Sequence, residues 1–155
     1  MLAAQSQGFS IVYFEQRDLA VRDGHPLGTG HRLTVNRSID AWFEIGESWS
    51  GPLESLDALL MRKDPPFVFE YLTATWLLER AEADGVRVFN RPCALRDHSE
   101  KLAIAEFDQF TPQTLVARDM DQLQQFIDAQ RDIILKPLDG MGGMGIFRVG
   151  ADGLN

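Results

Sequence analysis

A lysine followed by a glycine-rich segment is the part of the chain best suited to chemistry. Lys136 ends an apolar stretch, and glycines occupy four of the six positions from 140 to 145. Because glycine lacks a Cβ atom, backbone N–H groups in such a segment approach phosphate oxygens closely, and the Lys136 ammonium adds a positive charge. The residue types therefore predict a phosphate site, with a hairpin turn that binds no ligand as the alternative.

The order of elements around the glycines separates this segment from two common nucleotide motifs. Residues 132–135 and 146–149 are mostly apolar and have the composition of short strands. A P-loop places its lysine after the glycines and then opens a helix, and a dinucleotide fingerprint also needs a helix there. Here the lysine comes first and a strand follows, so the segment is neither of these motifs.

Composition excludes several classes of function. The 155 residues carry a net charge of −8, which argues against a nucleic-acid partner. No apolar run approaches the roughly 20 residues of a membrane span, and the N-terminus lacks the pattern of a signal peptide. Cys93 is the only cysteine, so no internal disulfide forms, and a cytoplasmic location is expected. A lone cysteine or histidine, such as Cys93 or His98, is more often a packing or surface residue than a catalytic one.

Hydrophobic patterning predicts the elements of the first hundred residues. Residues 9–14 are expected to form a buried parallel strand, with shorter strands at 18–23 and 31–36 and a polar connection around residues 42–49. A further strand at 57–62 precedes a helix over 67–84, which Gly85 ends. The helix is expected to bury one face, which consists of Phe69, Leu72, Trp76, Leu77 and Ala81.

A strand at residues 86–89 follows that helix and completes a strand–helix–strand unit. This unit predicts an α/β fold for the first hundred residues. Beyond a boundary near residues 91–100, the pattern predicts a short helix over 100–107, a strand at 114–117 and a helix capped by Asp119 or Asp121. A helical start without a start signal and a strand followed only by a turn lead us to expect a piece of a longer protein.

Several motifs occur together in a specific order. They are MRKDPPF at 61–67, NRP at 90–92, LRD at 95–97 with EKL at 100–102, TPQTLV at 111–116 and ILKPLDGMGG at 134–143. In this order and at these distances they closely resemble bacterial glutathione synthetases, a family of ATP-grasp ligases. The resemblance covers nearly the whole chain.

The resemblance implies two domains. Residues 1–97 would be an N-terminal Rossmann-like domain, a pre-ATP-grasp domain that lacks its first strand, and residues 98–155 would begin an α+β ATP-grasp domain. Members of the family are roughly twice as long. The resemblance therefore also implies that the Mg²⁺ (or Mn²⁺) ligands lie beyond Asn155 and that this chain alone is inactive.

The resemblance also assigns residues to the nucleotide. Two lysines and the glycine loop would contact the phosphates of ATP, and both Met141 and Met144 would either cover the phosphates or pack on the sheet. The implied ATP-binding residues are Lys101, Lys136, Asp139, Gly140, Met141, Gly142, Gly143, Met144 and Gly145.

The family reaction joins γ-glutamylcysteine to glycine and converts ATP to ADP and phosphate through an acyl phosphate. Phosphoryl transfer of this kind needs positioning and charge neutralisation more than a covalent side chain. The implied partners are these small molecules, and the intact protein would be a homo-oligomer.

Arg62 and Asp64 lie at the C-terminal end of a predicted central strand, where open α/β sheets bind ligands. Arg62 would pair with a substrate carboxylate, while the equally weighted alternative is an ion pair of Asp64 with Arg62 or Lys63.

Two other functions remain open. One is another ATP-grasp carboxylate–amine ligase, although MRKDPPF argues against it, and the other is an inactive nucleotide-binding fragment.

Overall fold

The computed structural model describes residues 1–63, 66–140 and 142–150 as a mixed α/β protein. The helices are α1 (Leu2–Ser6), α2 (Phe69–Ala83), α3 (Pro92–Asp97) and α4 (Met120–Gln130). The strands are β1 (Ile11–Tyr13), β2 (Leu19–Arg22), β3 (His25–Val35), β4 (Phe43–Pro52), β5 (Ala58–Leu60), β6 (Arg87–Phe89), β7 (Ile133–Leu135) and β8 (Phe147–Val149).

The chain divides into two compact units. The first comprises Met1–Arg62 and Phe69–Arg96, and the second comprises Lys63–Val68 and Asp97–Asn155. Within the described residues, no helix combines the length and apolar composition that crossing a bilayer requires.

Strand β3 is the centre of the four-stranded sheet in the first unit. Both β1 and β2 pair with one edge of β3, and β4 pairs with the other edge, all antiparallel. The prediction of a buried parallel strand at residues 9–14 was therefore wrong in direction, and also in burial, since β1 is half-buried to exposed. A continuous apolar run does not indicate the direction of its partner strand. The prediction of a connection at residues 42–49 was also wrong, since most of that segment belongs to β4.

Side-chain bonds from Gln5 attach α1 to the sheet. Its amide nitrogen donates to the carbonyl of Val35 at 2.8 Å, and its amide oxygen accepts from the Val35 N–H at 2.9 Å. The side-chain amide thereby satisfies both backbone groups of the last residue in β3, as a neighbouring strand would.

The parallel unit predicted from the sequence is present. Strands β5 and β6 pair in parallel, from Ala58 opposite Arg87 to Leu60 opposite Phe89, with α2 as the crossover. Apolar residues from both strands and from α2 form the core of this unit. The buried cluster contains Leu53, Leu59, Leu78, Ala81, Val86 and Val88.

The buried face of α2 differs from the predicted one. The residues it buries are Tyr71, Ala74, Thr75, Leu78 and Ala81, so of the predicted set only Ala81 is buried. Phe69 and Trp76 lie on the exposed side, where their rings pack edge to face with centroids 6.0 Å apart. Aromatic pairing therefore shields apolar surface that the core does not cover.

All three tryptophans belong to the first unit, and each contacts a phenylalanine. Trp49 packs edge to face on Phe14 at 5.4 Å between centroids, and Trp42 packs on Phe43 at 4.5 Å. With Trp76 against Phe69, these pairs place every indole ring outside the second unit.

Candidate functional site

The glycine segment lies on a β-hairpin in the second unit, as predicted. Strands β7 and β8 pair antiparallel, with Ile133 opposite Val149 and Leu135 opposite Phe147. Residues 136–146 connect the two strands, and Lys136 directly follows β7. The hairpin therefore holds the lysine and the glycines at one end of a two-stranded sheet.

Glycine is required at two positions of the loop for different reasons. A Cβ on Gly140 would lie 2.8 Å from Pro137 Cγ and 3.2 Å from the Met144 carbonyl, which is too close for a side chain. Gly143 has a φ of +82°, a left-handed conformation that residues with a side chain rarely adopt. The loop thus brings its backbone close to Pro137 and exposes peptide groups farther along.

Lys101 reaches this loop from the segment that precedes a 3₁₀ turn at Ala103–Glu106. Its ammonium donates a hydrogen bond to the carbonyl of Gly140 and lies 3.2 Å from a carboxylate oxygen of Glu100. The Lys101 side chain is only 18% exposed. Residues 39 positions apart in the chain therefore meet at the loop, and the lysine is not the solvent-facing residue that its sequence context alone suggests.

The other candidate residues of the loop face outward. Lys136, Asp139, Gly142, Gly143, Met144 and Gly145 are exposed, Met144 to 69%, whereas Gly140 is half-buried. Met141 lies outside the described residues. An exposed loop with backbone amides and a lysine at its base remains open to a ligand.

An open cavity of about 1270 Å³ adjoins the loop within the second unit. Both Lys101 and Lys136 line it, together with apolar side chains from α4 and β7. The other lining residues include Ile104, residues 112–117, Leu123, Phe126, Gln130, residues 132–135, Gly140, residues 142–146 and Arg148. An apolar surface next to two cations suits a ligand with both a ring and phosphates.

The cavity wall depends on the start of α4. Asp119 caps this helix, and its carboxylate accepts from the Gln122 N–H at 2.9 Å. The sequence allowed either Asp119 or Asp121, and the structure selects the first. The predicted strand at residues 114–117 is absent; this segment lines the cavity in an irregular conformation.

Sequence reasoning missed an ion pair on the hairpin. Arg148 forms a two-pronged contact with Asp132, at 2.9 and 2.8 Å. These hydrogen bonds, with the charge of Arg148, hold the pKa of the exposed Asp132 carboxyl below its ordinary value. The strand register accounts for this ion pair, because antiparallel pairing brings the start of β7 near the end of β8.

Arg62 follows β5 in the first unit, as predicted, and is exposed. The Met61 N–H donates to the Phe89 carbonyl at 2.7 Å and so continues the pairing with β6 up to the residue before Arg62. Asp64 lies outside the described residues, and so does the alternative of an Arg62–Asp64 ion pair.

Neither of the isolated reactive residues joins a catalytic group. His98 Nδ1 lies 3.2 Å from a carboxylate oxygen of Glu106 on an exposed surface, and Cys93 is a half-buried free thiol on α3. In the parts of the chain that the structure describes, no three acidic, histidine or cysteine residues form a group able to hold a metal ion.

Comparison with known proteins identifies both parts of the chain. A family model described as "Prokaryotic glutathione synthetase, ATP-grasp domain" matches residues 100–155, which assigns the cavity and its hairpin to the ATP-grasp class. A second model, "Prokaryotic glutathione synthetase, N-terminal domain", matches residues 1–96. The chain belongs to the prokaryotic glutathione synthetase family, and the prediction made from its motifs is confirmed.

Curated relatives are about 50% identical to the chain over the region in which they match it. It is 50% identical over all 155 residues to a glutathione synthetase of Shewanella oneidensis, of which it covers 49%. It is also 50% identical over its full length to that of Ralstonia nicotianae, covering 48%, and 48% identical to that of Yersinia pestis, covering 49%. The chain therefore spans about half the length of the curated relatives that it matches.

Proposed function

We propose that the cavity of the second unit binds ATP, with its phosphates at the glycine loop. The observation that carries the proposal is the hydrogen bond from Lys101 to the Gly140 carbonyl in the wall of a cavity that Lys136 also lines. The ammonium groups of both lysines would neutralise phosphate oxygens, and loop N–H groups would donate to them. Asp139, Met141 and Met144 complete the proposed loop contacts.

The residues present fit a nucleotide better than they fit its metal. The two lysine ammonium groups have donors and no acceptor, and the loop offers backbone N–H groups, so these residues suit the anionic end of ATP. In this family ATP is expected to carry Mg²⁺ or Mn²⁺, and no described residue is assigned as a ligand of that ion. When bound, ATP supplies the phosphoryl group that activates a carboxylate.

We further propose that the whole protein ligates γ-glutamylcysteine to glycine, the reaction that the family resemblance implies; its relatives are named glutathione synthetases. In this chain the lysines and the loop amides would hold the phosphates in line and disperse their charge. The partners would be small molecules in the cytoplasm. We also propose that the whole protein forms a homo-oligomer, which light scattering would test.

For the first unit we propose that β5, α2 and β6 belong to a Rossmann-like sheet. The parallel pairing of β5 and β6 through a helical crossover supports this assignment. Arg62 would then hold a carboxylate of γ-glutamylcysteine from the carboxyl end of β5, with Asp64 beside it. In the whole protein, Arg62→Lys keeps the charge but loses the two-pronged geometry, and an unchanged KM for γ-glutamylcysteine would remove Arg62 from this role.

Lys136→Met tests the ATP site. Hydrogen bonds to charged groups contribute about 1.5–3 kcal/mol, so ATP affinity measured by titration calorimetry should fall about 10- to 100-fold. Arg118→Met is the matched control, because Arg118 is an exposed cation of the same unit that does not line the cavity. Equal ATP affinities of the two variants would contradict the proposal.

A further inference from the structure

The two lysines of the cavity are engaged to different extents before any ligand binds. The Lys101 ammonium donates to the Gly140 carbonyl and contacts the Glu100 carboxylate at 3.2 Å. The side chain of Lys136 makes no hydrogen bond or ion pair with any residue that the structure describes, and it is exposed. Of these two lysines, only Lys101 therefore connects the loop to a described segment outside the hairpin.

The loop beyond Gly140 has few other restraints. A Cβ built on Gly142 or on Gly143 would meet nothing within 4 Å, so these residues lie in open space. The Ile146 N–H donates to the Gly143 carbonyl at 3.4 Å, which is long for such a bond. Glycines also have more conformational freedom to lose than other residues, so an unrestrained loop of this composition would sample many conformations.

The chemistry of an ammonium allows it to hold the loop and a phosphate together. Lysine has three N–H donors and no acceptor, and two of them are directed at Gly140 and Glu100. The third remains for an additional oxygen. A group that already holds the loop before the ligand arrives reduces the entropy lost on binding.

We propose that Lys101 is a positioning residue that tethers the glycine loop in the nucleotide-free protein and bridges the Gly140 carbonyl to a phosphate oxygen in the bound state. The bridging part rests on the proposed ATP site, whereas the tether is a property of the free chain. Lys101 and Lys136 thus have separate tasks: the first orders the loop and contacts phosphate, and the second contacts phosphate without ordering the loop.

The tether is tested without nucleotide by ¹⁵N relaxation of the loop glycines. In Lys101→Met, the order parameter of Gly140 should fall from the rigid range near about 0.85 toward the flexible range below about 0.6. Lys136→Met is the matched control, since it removes the same charge from the same cavity but no loop contact, and should leave the Gly140 value as in the wild type. A Gly140 order parameter that is unchanged in Lys101→Met, or already below about 0.6 in the wild type, would overturn the tether.

A second measurement needs no variant and so does not depend on folding of Lys101→Met. The chain has three lysines, Lys63, Lys101 and Lys136. The ammonium protons of Lys101 should exchange with water more slowly than those of Lys136, because only the Lys101 ammonium donates to a loop carbonyl and its side chain is largely shielded from solvent. Equal exchange rates would refute the tether.

Adding ATP separates this inference from the proposed function. If the tether and the ATP site both exist, ATP affinity falls in both lysine variants while only Lys101→Met loosens the free loop. If ATP binds neither the wild type nor the variants, the proposed function and the bridging role fail together. The tether is then decided by the nucleotide-free measurements alone.

Discussion

At the scale of single residues, charge in the second unit is distributed between engaged and free groups. Arg148 lines the cavity, yet both prongs of its guanidinium are directed at Asp132. Lys101 is partly engaged by the loop, and Lys136 is free of described partners. Among the cations that line the cavity, the one most available to an incoming anion is therefore Lys136, followed by the remaining donor of Lys101.

The Asp132–Arg148 pair contributes to the stability of the fold, and this contribution depends on pH. Because the folded state lowers the pKa of Asp132, the pair stabilises the fold above the unfolded-state pKa of the carboxyl and loses this effect as pH falls through the folded-state value. In Arg148→Gln the pKa of Asp132, followed by carboxyl ¹³C titration, should rise toward its ordinary value.

Arg131→Gln is the control for this titration. Arg131 neighbours Asp132 in sequence but makes no described ion pair with it, so the pKa of Asp132 should stay low. A similar rise in both variants would show that general positive charge, and not the two-pronged contact, lowers the value.

At the scale of elements, the N-cap of α4 stabilises a helix that lines the cavity. Asp119→Ala removes the N-cap bond to Gln122, and loss of such a cap costs about 1 kcal/mol. Amide hydrogen exchange in the first turns of α4 should therefore accelerate about fivefold, since about 1.4 kcal/mol corresponds to tenfold.

Asp121→Ala is the matched control for the cap. This acid lies in the first turn of α4 but makes no cap bond, so its removal should change exchange less, through the helix dipole alone. Equal acceleration in the two variants would assign the stabilisation to charge and not to the cap.

Elements with strong local signals were predictable. The α2 helix, the parallel pair β5–β6, the capped α4 and the β7–β8 hairpin all follow from apolar runs bounded by glycine, proline or aspartate. Strand β4 was missed because its polar residues and glycines resemble a connection, and its pairing with β3 comes from tertiary structure. The buried face of α2 was also mispredicted, since exposed aromatics pair with each other outside the core.

Only the part of the site that neighbouring residues form could be predicted from the sequence. Lys136 and the glycines form one local motif, so their shared position on a hairpin follows from sequence order. The role of Lys101 rested on the family resemblance, because its contact with Gly140 joins segments far apart in the chain. The Asp132–Arg148 pair required the strand register, which composition does not supply.

At the scale of the whole molecule, the chain contains the proposed phosphate site but spans only about half the length of its curated relatives. We expect the 155-residue chain to bind ATP but to show no ATP-dependent ligation of γ-glutamylcysteine with glycine. The reason is that it matches an N-terminal domain and the start of an ATP-grasp domain, about half of each curated relative. Phosphate release and product formation would be measured together, and product formation well above background would refute this expectation.

The separate location of the indole rings has a spectroscopic consequence. Trp42, Trp49 and Trp76 all belong to the first unit, whereas the proposed nucleotide cavity lies in the second. Intrinsic tryptophan emission therefore originates in the first unit alone, and we expect nucleotide binding whose effects stay within the second unit to leave it unchanged. An emission change on adding ATP would be a direct optical signal that the first unit senses the ligand, with no external dye required.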